Sequence, residues 1–498
     1  MTFTGVVRVN GAGFFEIDPD NADVAIQAAI DTLDDGGGVL DIYPAADGGT
    51  YKFSDAVISD KSNVRLNGNG SILGFNGSTS LYMFRVRGEN WTFDGLNFLD
   101  TAASGLGTGT RRIISIEDAG SDGASNTTRI VNCHFTVTLA TQTVRDYQCI
   151  AVSGNSSSVE GLRRGLFVSG CTFIAGVNSI PNTKYVTATT TPYGITFIKT
   201  DNSASQHIVN NEFRGIRRTS TLANVPDGGD DQLEEIAINA TVAVGGETIV
   251  LKSTASDPSL DGVVQPGSYL TIAGDSQIYV VTKQATAGSD LVSLNIWPPL
   301  VVQADANDVV VLTMLPAYGH IAAAIHLTDH NQSIVHSNIF VLLSTQAAAQ
   351  GEGGDLIHLA GVDGEAGHTR VAGNVCEDVD SRRMVRVESD GGAYPQGWNF
   401  IEHNKFGRII PTCESLVSFL NATDCTVIGN NFHNTEGGLD GASPTSGHKI
   451  EIADSKSILI DHNTGSIMDS GEFDEVWHDS GGNQNIRVMP GNVLEVTI

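Results

Sequence analysis

The sequence predicts an all-β fold: a β-solenoid headed by an N-terminal capping α-helix and interrupted by a small inserted β domain. Three observations lead there. First, six stretches can be laid in register: Gly194 to Phe213, Ala324 to Phe340, Asp355 to Glu377, Met384 to Phe406, Leu416 to Phe432 and Lys449 to Gly465. Each opens with an alternating strand such as AAIHLT or DLIHLA, meets a polar turn carrying an aspartate, and ends a second strand near an asparagine. A strand, turn and strand repeated every ~25–40 residues marks a solenoid, whose coils pack on their neighbours. Second, no helical periodicity separates the repeats, which makes the solenoid a β one. Third, the pattern breaks between residues 230 and 317 and then resumes.

The elements follow in order. Residues 1–53 form an N-terminal segment whose stretch 21–35, NADVAIQAAIDTLDD, reads as a helix. Ala25, Ile26, Ala29, Ile30 and Leu33 make its apolar stripe, and Gly36, Gly37 and Gly38 end it. Such a helix covers the open edge of the first coil. Residues 54–229 are the first part of the solenoid, with less regular coils such as RIISIEDAGSDGASNTTRIVNCHF. Residues 230–317 carry Val/Ile/Leu runs broken by Gly and Pro, which suits a compact inserted β domain. Residues 318–470 resume the coils, and residues 471–498 form a tail expected to cap the solenoid or to contact other subunits.

Alternation turns Ile114, Ile116, Ile325, Leu327, Ile357, Leu359, Val385, Val387, Ile450 and Ile452 inward as core. Asparagines at 97, 132, 211, 338, 374, 404, 430 and 463 suit a tight bend, and stacked coils would range them in a ladder. The six cysteines show no CxxC spacing and read as small buried hydrophobes; Cys133 and Cys171 share a coil position.

Composition narrows the partners. The chain of 498 residues has 57 acidic against 28 basic side chains, a formal net charge of −29. That excludes nucleic acid, which needs clustered Lys and Arg, and disfavours an anionic membrane. No run approaches the length of a membrane span, and no secretory signal opens the sequence.

The segment DVAIQAAIDTLDDGGGVLDIYPAADGGTYKF resembles the start of the pectate-lyase-like β-helix found in many phage tailspikes. The match covers Val24 to Phe53, and FEIDPDNAD replaces the usual GDG-x-TDDT lead-in. The resemblance implies a right-handed parallel β-helix. It also implies a homotrimer on a virion, assembled in the host cytoplasm with other virion proteins. Such proteins bind, and often cleave, polysaccharide of the bacterial surface. A non-catalytic head or tail decoration fibre on the same scaffold is the alternative. With the helix beginning by residue 21, attachment is expected through the short N-terminus, the inserted domain or another chain.

Register also maps where chemistry could sit. Outward side chains of the opening strands are expected to stack as Ser115, Thr196, His326, His358, Arg386, Ser418 and Glu451, with Glu117, Thr328 and Glu388 in a second column. The candidate catalytic set is therefore His326, His358, Arg386, Glu388 and the turn aspartates Asp329, Asp363 and Asp390. Paired carboxylates at about 5 or 6.5–9.5 Å would serve glycoside hydrolysis. Arg or His could instead remove a proton alpha to a uronate carboxylate, as a lyase requires. Turn aspartates and stacked outward charges also have a plain structural reading, as turn formers and a solvated face. No cofactor is expected; Asp18, Asp20 and Asp23 could bind calcium or simply cap the helix. Trp297, Trp398 and Trp477 are candidates for stacking on sugars.

Overall fold

The computed structural model describes residues 6–496 apart from 10–12, 46–47, 76–81, 101–109, 118–126, 140–145, 154–162, 178–193, 217–219, 225–231, 255–259, 289–290, 315–318, 346–353, 362–365, 380, 382, 390–395, 408–414, 433–447, 468–476, 480 and 491. Three long sheets of 14, 12 and 11 strands run through the molecule. Successive coils each add one strand to every sheet. The coil with strands Ala323–Thr328, Ile334–His336 and Ile339–Val341 is followed by one with Asp355–Gly361, Arg370–Ala372 and Val375–Glu377. All these pairings are parallel, so the fold is a parallel β-helix.

The inward column Ile325, Ile357, Val385, Val417 and Ile450 pairs residue on residue through five coils. Every residue that alternation placed in the core is buried. Phe98, Phe135, Phe173, Phe213 and Phe340 stack ring on ring at 4.7–4.9 Å. Cys133 and Cys171 are buried and free. Cys413 lies outside the described residues.

A second ladder is polar. Asn211, Asn338, Asn374, Asn404, Asn430, Asn463 and Asn492 follow one another, each side-chain N–H donating to the next side-chain oxygen at 2.9–3.0 Å. Those oxygens also accept the preceding asparagine's backbone N–H. The tight bend itself belongs to the residue before, left-handed at Asn210, Ser337, Gly373, His403, Gly429 and His462. Sequence reasoning gave both jobs to one residue. In the early coils Asn132 takes the bend and Cys133 or Cys171 takes the inward place.

Among the described residues one helix, α1, spans Ala22–Asp31 and buries Ala22, Ile26, Ala29 and Ile30 in the same core as Leu40 and Tyr51. It thus covers the first coil. Strands Val6–Val9 and Gly13–Glu16 pair antiparallel ahead of Gly38–Tyr43. The three aspartates before and within α1 have separate partners. Asp18 accepts from Asp20 N and Asn21 Nδ2, Asp20 pairs with Lys52 at 2.7 Å, and Asp23 accepts from the backbone of Ser54 and Asp55.

The inserted domain is a closed antiparallel barrel. Its strands in barrel order are Gln232–Ile238, Thr248–Ser253, Leu291–Trp297, Tyr279–Val281, Tyr269–Ile272 and Val309–Thr313. It has its own core, including Ile249, Leu251, Leu294 and Val310. The coils on either side pair directly, Gly194–Asp201 with Ala323–Thr328, as though nothing intervened. At the far end Trp477–Asp479, Arg487–Val488 and Val493–Val496 extend the three sheets by a last coil. Among the described residues no helix is long and apolar enough to cross a membrane.

Candidate functional site

The 11-stranded sheet carries the candidate residues on its outer face, and a local bend decides which ones. In five successive strands two consecutive residues face the core: Phe197 and Ile198, Ala324 and Ile325, Leu356 and Ile357, Met384 and Val385, Leu416 and Val417. Strict alternation therefore fails at this step, and outward residues fall three apart. Asp355 and His358 face out together, as do Arg383 and Arg386, and Ser415 and Ser418. The outward column runs Ser115, Ala151, Lys199, His326, His358, Arg386, Ser418 and Glu451. Lys199, not Thr196, shares the column with His326. Thr196 pairs instead with Ala323, because Phe197 and Ile198 both turn inward.

Four of the seven predicted residues come together. His326 and His358 stack at 4.6 Å between ring centres, 26° from parallel. His358 Nε2 donates to Glu388 Oε1 at 2.7 Å. Arg386 contacts the other oxygen of Glu388 and reaches Asp355 Oδ2 at 3.4 Å. Asp329 is different: it occupies the left-handed corner after its strand, φ 46°, with its N–H on Ala360 O. It is a turn former, as Asn202, Asn421 and Asp454 are in their coils. Asp363 and Asp390 lie outside the described residues.

Three charged groups extend the network beyond the predicted set. Asp355, 1% exposed, lies between Arg383 (3.5 Å) and Arg386. Arg383 also approaches Glu451 at 3.6 Å, and Ser418 Oγ donates to that carboxylate at 3.2 Å. The signal for Asp355 was the pair Leu356 and Ile357, two apolar residues in a row where alternation allows one.

Electrostatics assigns states to two groups. Burial raises the Glu388 pKa, but His358, Arg386 and Arg383 outweigh it and hold the carboxyl below its ordinary value. Glu388 is therefore an anion at neutral pH. Burial, with repulsion from His358, Lys199 and His330, pushes His326 well below the ordinary imidazole value. His326 is neutral at pH 7, with Thr328 Oγ1 at 3.2 Å from its Nε2. The face thus offers one neutral imidazole, His326, beside a carboxylate, Glu388, that is held ionised and contacted by both His358 and Arg386.

Trp398 is 53% exposed and stacks on His368 at 4.8 Å, in another part of the coil. Trp297 ends a barrel strand, and Trp477 begins a strand of the last coil.

No family model matches the chain, and no curated protein matches it. Solved structures with a similar architecture do exist. The Dettilon tailspike protein is 11% identical over 97% of this chain and 66% of its own, with a TM-score of 0.44. The chain thus spans about two thirds of that tailspike's length. DFA-IIIase from Arthrobacter chlorophenolicus A6 is 12% identical over 96% of this chain and 91% of its own, TM-score 0.42. The tailspike protein of E. coli bacteriophage HK620, solved in complex with pentasaccharide, is 14% identical over 96% and 77%, TM-score 0.37. The chain is similar in architecture to phage tailspike proteins, and the likeness is one of fold.

Proposed function

We propose that this chain is a phage spike-type protein: a homotrimer on the virion, assembled with other virion proteins, that binds polysaccharide of the host cell surface. The flank network carries the reading. Consecutive coils deliver Asp355, His358, Arg383, Arg386, Glu388 and Glu451 to one outward face. Stacked coils suit a long repeating ligand, because each coil can meet one stretch of it. The N-terminal resemblance over Val24 to Phe53 supports the spike class, and the net charge of −29 opposes nucleic acid.

If the flank also cleaves, proton abstraction fits it better than hydrolysis. A hydrolase needs one carboxyl kept protonated. Glu388, the best-placed carboxyl, is held ionised. His326 is a neutral proton acceptor. It would take the proton alpha to a uronate carboxylate, whose charge Lys199 and Arg386 would offset. The C–H electrons form the new double bond, the glycosidic C–O bond breaks, and water protonates the leaving oxygen.

One observation favours the second reading, a non-catalytic structural virion protein. Both oxygens of Glu388 are already engaged, as in a closed structural network. The experiment is to incubate the protein with host capsule or lipopolysaccharide and to size the products. Shortened chains with new ultraviolet absorption mean a lyase, and shortened chains without it mean a hydrolase. Binding without shortening leaves a receptor-binding spike, and no binding supports the structural reading. Light scattering at the mass of three chains tests the trimer.

A further inference from the structure

In the described coils from Ser205 onward, the corner before the 14-stranded sheet is left-handed. The corner residues are Ser205, Gln332, His368, Trp398, Asp424, Ser457 and Asn485, with φ between 50° and 61°. Each up to Ser457 donates its N–H to the residue just before the next corner, as Trp398 does to Thr423 O. Small polar side chains, Asp, Asn and His tolerate this conformation, whereas a bulky indole does not. Nor does burial compensate: Trp398 is 53% exposed. A strained, exposed tryptophan at a position that the adjacent coils fill with His368 and Asp424 calls for a use outside folding.

Its surroundings define that use. The Trp398 ring stacks on His368 of the preceding coil at 23°. Asn399 is buried, and Phe400, two residues after Trp398, is 40% exposed. Arg370 is the register partner of Phe400, and its Nε donates to Glu402. Asp424 occupies the next corner.

We propose that His368, Trp398 and Phe400 form an aromatic platform for one neutral pyranose ring of the surface glycan. The Arg370–Glu402 pair and Asp424 hydrogen-bond its hydroxyls. The inference rests on the polysaccharide-binding reading and adds a site away from the flank network. A pyranose has an apolar C–H face that packs on flat aromatic rings, and hydroxyls at its rim that need donors and acceptors. The two carboxylates at the rim repel an anionic sugar or a phosphate, so the sugar bound here is neutral.

The test is binding of the full chain to an array of bacterial O-antigen and capsular polysaccharides, followed by titration of the glycan that binds. Trp398→Asn suits the left-handed corner and is expected to melt no lower than wild type. It is expected to bind about tenfold more weakly. Trp398→Phe keeps part of the affinity. Should Trp398→Asn fail to fold, Trp398→His, which repeats the His368 arrangement, replaces it in the comparison. Wild type and folded Trp398→Asn binding equally would overturn the platform and leave the polysaccharide reading intact. Wild type binding no glycan on the array would overturn both.

Discussion

His358 reaches across one coil step to Glu388, Nε2 to Oε1 at 2.7 Å, while Arg386 takes the other carboxylate oxygen. The three residues come from two adjacent strands, so the contact exists only when those coils are stacked in register. Glu388→Gln leaves the largely buried Arg386 with Asp355, at 3.4 Å, as its remaining carboxylate partner. It is expected to destabilise the protein by about 3 kcal/mol. The double change Arg386→Gln with Glu388→Gln removes the under-neutralised guanidinium as well, so it should cost less than the two single changes summed. Urea unfolding of the four proteins in a double-mutant cycle checks this. Additive costs would mean that the pair is not coupled.

Stability should fall in acid in two steps. His326 has a depressed folded pKa, so its contribution is fully present above 6.5, its ordinary value. Below that, the unfolded chain binds a proton that the folded chain refuses, and stability falls until the folded pKa is passed. His358, His330 and Lys199 face it and add to the repulsion. Glu388 is also depressed, so its contribution is present above 4.5 and lost as pH falls through the lower folded value. The apparent Tm is therefore expected to start declining below about pH 6.5, with a further loss below 4.5. His326→Asn should flatten the first decline and leave the second. Melting curves across this range read it directly, and an unchanged first decline in the variant would contradict the assignment.

The asparagine ladder should be most sensitive in its middle. Asn404 donates to Asn430 Oδ1 and Val371 O, and accepts from Asn374 N and Nδ2. Asn404→Ala strands buried groups on both neighbouring coils, at about 3 kcal/mol. Asn492 ends the ladder and is partly exposed, so Asn492→Ala should cost about 1 kcal/mol. Chemical denaturation gives the ranking. Hydrogen exchange at residues 371–377 and 426–432 shows whether the Asn404 damage stays within the adjacent coils.

The solenoid was legible because its repeat is a repeat of burial: Ile325, Ile357, Val385 and Ile450 read as one column and pack as one. The outward face was less so. Period two assigns Thr196 to the His326 column, but the strand bend at Phe197 and Ile198 gives that place to Lys199. The same bend turns Asp355 outward beside Arg383 and Arg386, a partnership that alternation hides. Residue chemistry misled at the corners. Asparagine and aspartate both suit left-handed turns, so Asp329 resembled a site residue and Asn211 resembled the bend. Trp398 at such a corner contradicts local preference, and composition gives no hint of it.

The inserted barrel should be removable. The chain leaves the β-helix after Gly215 and returns at Gly319, where the backbones approach so closely that a Cβ on Gly215 would lie 2.4 Å from Gly319 N. On either side the coils are already joined: Phe213 stacks on Phe340 at 4.9 Å, and Asn211 donates to Asn338. The barrel's apolar core is separate from that of the β-helix. Replacing residues 217–317 with a short Gly/Ser linker is therefore expected to leave a folded β-helix, since a short closure costs little entropy. The excised barrel, with its closed sheet and own core, should fold alone. Circular dichroism and melting of the two pieces decide it. Gly215→Val in the full chain is the control: it should destabilise the junction, because the side chain meets backbone that cannot yield. If the shortened β-helix aggregates while the full chain does not, the barrel is needed to join the two halves.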